Sequence, residues 1–200
     1  VYNSGSSAPN KITFDSSNNK VVIVYADVDN SSKGTAVVGT VSGTSISFGS
    51  EVVFTSLDIS QTNTHVTFDS NANKVIVLYA DGANSNYATV VVGTVSGTSI
   101  SFGTAVVVDT ENALSSSSLG FDSNSNVVTL VYQLSSGAVA YYKIGAVSGT
   151  SISLGDRATF NSNYSSYNAQ AFDTDQNVMV VVYRDGGNSN YGTGRVLQVS

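Results

Sequence analysis

The sequence predicts an all-β fold built from four antiparallel, four-stranded units, and three observations carry that prediction. A Phe-Asp pair recurs at Phe14, Phe68, Phe121 and Phe172, spaced 54, 53 and 51 residues apart. A tyrosine stands eleven residues beyond each of them, at Tyr25, Tyr79, Tyr132 and Tyr183. The phrase GTVSGTSISFG occupies 39–49 and again 93–103, with GAVSGTSISLG at 145–155.

The elements of a unit follow in order. A segment ending in FD (KITFD, HVTFD, SLGFD, AQAFD) forms the first strand. After a polar turn comes a short β-branched run such as VVIVY or VIVLY, which reads as a buried second strand because turn residues bound it on both sides. A second polar loop leads to the third strand (TAVVGTVS, ATVVVGTVS, AYYKIGAVS, GRVLQVS), and a Gly-Thr turn leads to the fourth, SISFG or SISLG. There Ile46 and Phe48 alternate with Ser45 and Ser47, which predicts one packed and one wet face.

A four-stranded unit of about 40–50 residues in tandem is the pattern of a β-propeller, whose blades stack face to face around an axis. Solenoid coils repeat at roughly 20–30 residues instead. The residue before each FD is small (Thr13, Thr67, Gly120, Ala171), which places the FD strand at the crowded hub. The repeat units run over about 1–49, 50–103, 104–155 and 156–200 of a single domain or segment of one. Val1-Tyr2 aligns with the fourth-strand tails Val53-Phe54, Val107-Val108 and Thr159-Phe160, and the last unit stops within its third strand. Either four blades close a ring with an incomplete last sheet, or the stretch belongs to a longer array.

Composition narrows the partners. Hydrophobic residues make up 41% of the chain and charged ones only 11%, the polar remainder being rich in the Ser, Thr, Asn and Gly that suit strands and turns. A net charge of −6 with eight Lys and Arg argues against nucleic acid or an anionic membrane as partner. No run approaches the roughly 18 apolar residues of a membrane-spanning helix, so no membrane insertion is expected. Without cysteine there are neither disulfides nor thiolate metal sites.

Candidate binding residues lie in the loops between second and third strands: Asp27, Asn30 and Ser31; Asp81, Asn84, Ser85 and Tyr87; Asp185, Asn188, Ser189 and Tyr191. Carboxylate, amide, hydroxyl and aromatic ring together suit sugar hydroxyls and an apolar sugar face; the same D-x-x-N-S letters also suit a long hairpin turn. The third unit, QLSSGAVAYY, lacks the pattern. On the same rim the inter-unit loops 55–64, 109–118 and 161–170 are the longest and most varied, as recognition over a constant scaffold would require.

The turns after FD (DSSNN, DSNAN, DSNSN, DTDQN) place oxygens at alternate positions like the first half of a calcium loop, but lack its glycine and distal acid; an Asx-type turn explains the same letters. No cofactor is expected, and a structural calcium would take Asp173, Asp175 and Asn177, the one such turn with two carboxylates. His65, the single histidine, is expected to be structural beside the axis. A carboxylate-pair glycosidase would draw on Asp27, Asp81 and Asp185, but repeated identical acids imply identical roles where hydrolysis needs two different ones.

GTVSGTSISFG, FDSxxNKVVIVYAD and the NSNYGT loop together resemble the tandem propeller-type repeats of phage tail-fibre-like proteins and of large surface proteins of marine and aquatic bacteria, over essentially the whole chain. The resemblance implies an extracellular or virion-surface module used in attachment, with a cell-surface glycan or surface protein as partner. The chain differs from sialidase-type propellers, whose Asp-box carries a Trp absent here. The expected function is therefore non-enzymatic adhesion through one propeller rim. The alternative is a spacer or self-associating fibre subunit, and a polysaccharide hydrolase or lyase ranks behind both.

Overall fold

A computed structural model describes residues 1–59, 63–111, 113–135, 137 and 139–198, with Leu57 described by its backbone only. They form four antiparallel sheets, and none of them is α-helical. The first sheet contains β1 (Lys11–Asp15), β2 (Lys20–Asp27), β3 (Lys33–Ser42), β4 (Ser45–Phe48) and β5 (Val52–Asp58). The second contains β6 (His65–Asp69), β7 (Lys74–Asp81), β8 (Tyr87–Ser96), β9 (Ser99–Phe102) and β10 (Val106–Val107). In the third are β11 (Leu114–Asp122), β12 (Val127–Leu134), β13 (Ala140–Ser148), β14 (Ser151–Leu154) and β15 (Ala158–Asn161); in the fourth, β16 (Ser165–Asp173), β17 (Val178–Asp185) and β18 (Tyr191–Leu197).

The FD strands stand at the hub. β1 touches β6, β6 touches β11 and β11 touches β16, while the second, third and outer strands follow outward in each sheet. Buried side chains lie between sheets. Val22, Val24 and Val38 of the first meet Val75, Val77 and Val91 of the second, and Ile76, Leu78 and Val90 of the second meet Val128, Leu130 and Tyr132 of the third. Val131 and Ala140 of the third meet Met179, Val181 and Tyr183 of the fourth. A single sheet has two apolar faces and cannot bury both, so stacking is what makes the repeat stable.

The outer strand is not continuous. Its first half (β4, β9, β14) pairs with one end of the third strand, and its second half (β5, β10, β15) pairs farther along the same strand. The expected unit boundaries after 49, 103 and 155 fall in this break. The tails beyond it belong by hydrogen bonding to the preceding sheet and by side chain to the next: Phe54 packs on Tyr79 and Phe102 of the second sheet. Tyr2 packs on Tyr25 and Phe48 in the same manner, as its alignment with those tails predicts.

Position in the stack overrides the alternation expected of the fourth strand. Ile100 and Ile152 are 3% and 5% exposed, as predicted for that position, but Ile46 is 45% exposed because, among the described residues, no other sheet packs on that face of the first. Ile12, Phe14 and Val41 are exposed on that face, and Val182 and Val196 on the outward face of the fourth sheet. The described residues form an open stack with two apolar end faces.

Candidate functional site

The D-x-x-N-S residues form three separate turns at one end of the stack. In the second sheet the Asp81 carbonyl accepts from the N–H groups of Asn84 and Asn86 at 3.0 and 2.8 Å, and the Asp81 carboxylate from Ala83 N–H. Asp185 repeats this with Asn188 and Gly187 and also accepts from the Asn161 amide. The pairs Ser31/Ser32, Ser85/Asn86 and Ser189/Asn190 take the left-handed conformation that closes each loop. Asp27 bridges to Ser7, with Asn30 and Ser31 exposed beside it, while Tyr87 is half-buried and Tyr191 exposed. In the second and fourth units Asp caps the turn, and in all three the residues after Asn reverse the chain.

The turns after FD have a similar cause. One carboxylate oxygen of Asp15, Asp69, Asp122 and Asp173 accepts from two backbone N–H groups two and three residues on, at 2.8–3.0 Å. The asparagine that ends each turn, Asn19, Asn73, Asn126 or Asn177, is left-handed, with φ of 51–56°. In the calcium candidate, Asp173 thus spends one oxygen on the N–H groups of Asp175 and Gln176, and Asn177 supplies the reversal.

What the fold does bring together is a cavity of about 350 Å³ at the end of the hub strands. Asn63 and Tyr164 come from the inter-sheet loops, His65 from the start of β6, Ser115, Ser116 and Ser117 from β11, Ser166, Tyr167 and Asn168 from β16, and Arg184 from the end of β17. Most of these residues lie in the long varied loops singled out in the sequence, not in the D-x-x-N-S turns beside them. Two of the inter-sheet segments have become hub strand: β11 and β16 have nine residues each where β1 and β6 have five.

A buried polar network shapes the cavity wall. Gln133 stands where the first two units have Ala26 and Ala80, one residue past the repeat tyrosine, and is fully buried. Its carbonyl accepts from Ser165 N–H at 3.1 Å, and its amide donates to the Leu134 and Gly137 carbonyls. The Ser165 hydroxyl donates to the Asn168 carbonyl oxygen at 2.6 Å, and the Asn168 amide to Ser116 Oγ at 3.3 Å. A bulge between Ser166 and Ala169 makes room for this, and within it Tyr167 takes φ 55° and swings out, 79% exposed. Bulges of this kind re-aim side chains near sites, and an aromatic residue in the left-handed region stores strain.

Two hydroxyls on this wall, Ser117 Oγ and Ser166 Oγ, are buried and without a hydrogen-bond partner. Such groups are normally satisfied. Burial, with the positive charge of Lys11, lowers His65 from 6.5 to about 4, so its imidazole is neutral near pH 7. Arg184 lies over the Tyr167 ring, 5.5 Å from its centroid.

A second cavity of about 260 Å³, on the outer side of the third sheet, is lined by Asp109, Glu111, Lys143 and Arg157. There the charges already answer one another. Arg157 bridges Asp109 and Glu111 at 3.1 and 2.7 Å and lies 4.3 Å from the Tyr141 ring centroid. Burial pushes the Asp109 carboxyl up, but the Glu111 N–H, the Tyr132 hydroxyl and Arg157 outweigh it and hold the group below its usual range.

No family profile matches the chain, and no curated protein matches it. Among solved structures it is similar to an exo-β-1,3-galactanase from Phanerochaete chrysosporium, solved with β-1,3-galactotriose, at 10% identity and a TM-score of 0.56. The match covers 98% of this chain and 47% of that one, so the chain spans about half the length of the structure it resembles. That enzyme is a five-bladed β-propeller, and the likeness supports the propeller arrangement of the four sheets. It also corrects the expectation that the chain is not an enzyme, since a fold like this one carries a glycoside hydrolase.

Proposed function

We propose that the hub-end cavity binds a saccharide and that the chain is part of a carbohydrate-active β-propeller. The observation that carries the reading is the cavity lining, which includes Tyr164 and Tyr167, the amides Asn63 and Asn168, and Ser117 and Ser166, whose hydroxyls have no partner. Sugars present hydroxyls that both donate and accept, beside apolar C–H faces that suit aromatic rings. The volume falls within the roughly 300–1,000 Å³ common for small-ligand sites. The likeness to a galactanase supports the same ligand class.

Hydrolysis by the common route needs two carboxyl groups about 5–9.5 Å apart. Neither Asp nor Glu is among the described residues that line this cavity, and Asp27, Asp81 and Asp185 lie in three separate turns. The wall supplies sugar recognition, and turnover is measured beside binding. The sequence resemblance adds the setting: a glycan at a cell or virion exterior.

The test is calorimetric titration of an oligosaccharide panel that includes β-1,3-galactotriose, with product release measured in parallel. At least one sugar should bind, and Asn168→Ala and Tyr167→Ala should each weaken it about tenfold, roughly 1.4 kcal/mol. Silence across the panel, or binding that neither substitution touches, sinks the reading.

A further inference from the structure

We infer that the sugar taken by this cavity is acidic, a uronate-type residue whose carboxylate sits at Arg184. The inference rests on the saccharide reading of the same cavity. Among the described lining residues Arg184 is the one charged side chain, His65 being neutral near pH 7 and no carboxylate being present. Arg184 pairs in register with Ser166 across β16 and β17, so guanidinium and unpartnered hydroxyl approach the cavity from adjacent strands. Its Nε is shut away from solvent with no hydrogen-bond partner. The ion pairs among the described residues both belong to Arg157.

Asp185, next in the chain, points to the opposite side of β17 and is occupied by Gly187 N–H and the Asn161 amide. A guanidinium with no carboxylate partner in a partly enclosed site calls for an anion, and a carboxylate fits its fork with two parallel hydrogen bonds. Tyr167, against which the guanidinium lies, keeps that fork in place. Lys11, at the start of β1, adds positive charge that is felt at His65. The net charge of −6 opposes an acidic polymer at long range. That repulsion is screened beyond about 8 Å at physiological salt, whereas a contact inside the cavity is screened much less.

The test compares trigalacturonic acid with its carboxyl-reduced neutral counterpart by calorimetry on the unaltered chain at low and high salt. The acidic sugar should bind at least about tenfold tighter, with the advantage shrinking as salt rises. Arg184→Gln should abolish the preference for the acidic sugar, while Arg184→Lys should retain part of it. Equal affinities, a preference for the neutral sugar, or a preference that survives Arg184→Gln overturns the inference. Should Arg184→Gln fail to fold, the salt dependence on the unaltered chain decides. If the neutral sugar binds and the acidic one does not, only this inference falls; if no sugar binds, the saccharide reading falls with it.

Discussion

His65 shows how one side chain reports on the cavity. Burial, aided by Lys11, lowers its folded-state value from 6.5 to about 4, so between these two pH values the unfolded chain binds a proton that the folded chain refuses. Stability from this residue is therefore complete above about pH 6.5 and is lost as pH falls through 4, by at most about 3 kcal/mol. His65→Gln should flatten the stability curve in that window, as measured by urea unfolding at stepped pH. An unchanged slope would mean that the ring is solvated and the hub end more open than described. Gln133 works in the same region by hydrogen bonding. Replacing it with Ala, the residue of the first two units, leaves Ser165 N–H unanswered and should destabilise by about 1–3 kcal/mol. The same change should loosen sugar binding through Ser165 and Asn168, and unaltered affinity in Gln133→Ala would show that this network does not hold the wall.

At the level of the strand, the repeated phrase owes its letters to two contacts. Gly43, Gly97 and Gly149 take φ near 60° at the hairpin turn, where glycine is the natural choice. The closing glycines have a different role. The space a Cβ would need at Gly49 holds the Thr98 carbonyl of the next sheet, and that at Gly103 the Thr150 carbonyl, so each outer hairpin abuts the bend in its neighbour. Among the described residues Gly155 meets no such hairpin, and the Ile144 carbonyl lies 3.6 Å from its Cβ position. Gly103→Ala should accordingly cost about 2 kcal/mol or more through forced separation of the sheets, and Gly155→Ala close to nothing. Equal melting shifts for the two would refute the hairpin-to-hairpin contact.

Across the molecule, the same letter means different things at different places in the stack. Ile100→Ala removes a side chain packed between the first and second sheets and should cost about 2–5 kcal/mol, whereas Ile46→Ala, at the equivalent position on the open face, should cost under about 1 kcal/mol. Chemical denaturation of the two variants separates these values, and similar losses would mean that the first sheet's outward face is covered. The polar substitutions follow the same positional logic. Thr129 and Gln133 replace apolar residues of the first two units only at the interface of the third sheet with the fourth, where Thr129 bonds Gln170 and Gln133 bonds Ser165.

Strand identity, turn chemistry and the hub position of the FD strand were legible in the sequence, because each is set by residues close along the chain: an Asp that caps its own turn, an Asn or Gly that reverses it, a β-branched run between them. The period of 51–54 residues likewise announced stacked sheets, since one sheet cannot bury two apolar faces. The cavity was not legible in this way. Asn63, Ser116, Asn168 and Arg184 come from four stretches spread over more than 120 residues, and no local pattern marks them. The repeated D-x-x-N-S loops drew attention because repetition is visible, and in the second and fourth units their Asp residues also cap the turn. The residues that meet in the cavity belong to loops that differ from unit to unit, and only the stacking of hub strands brings those differences to one end of the molecule.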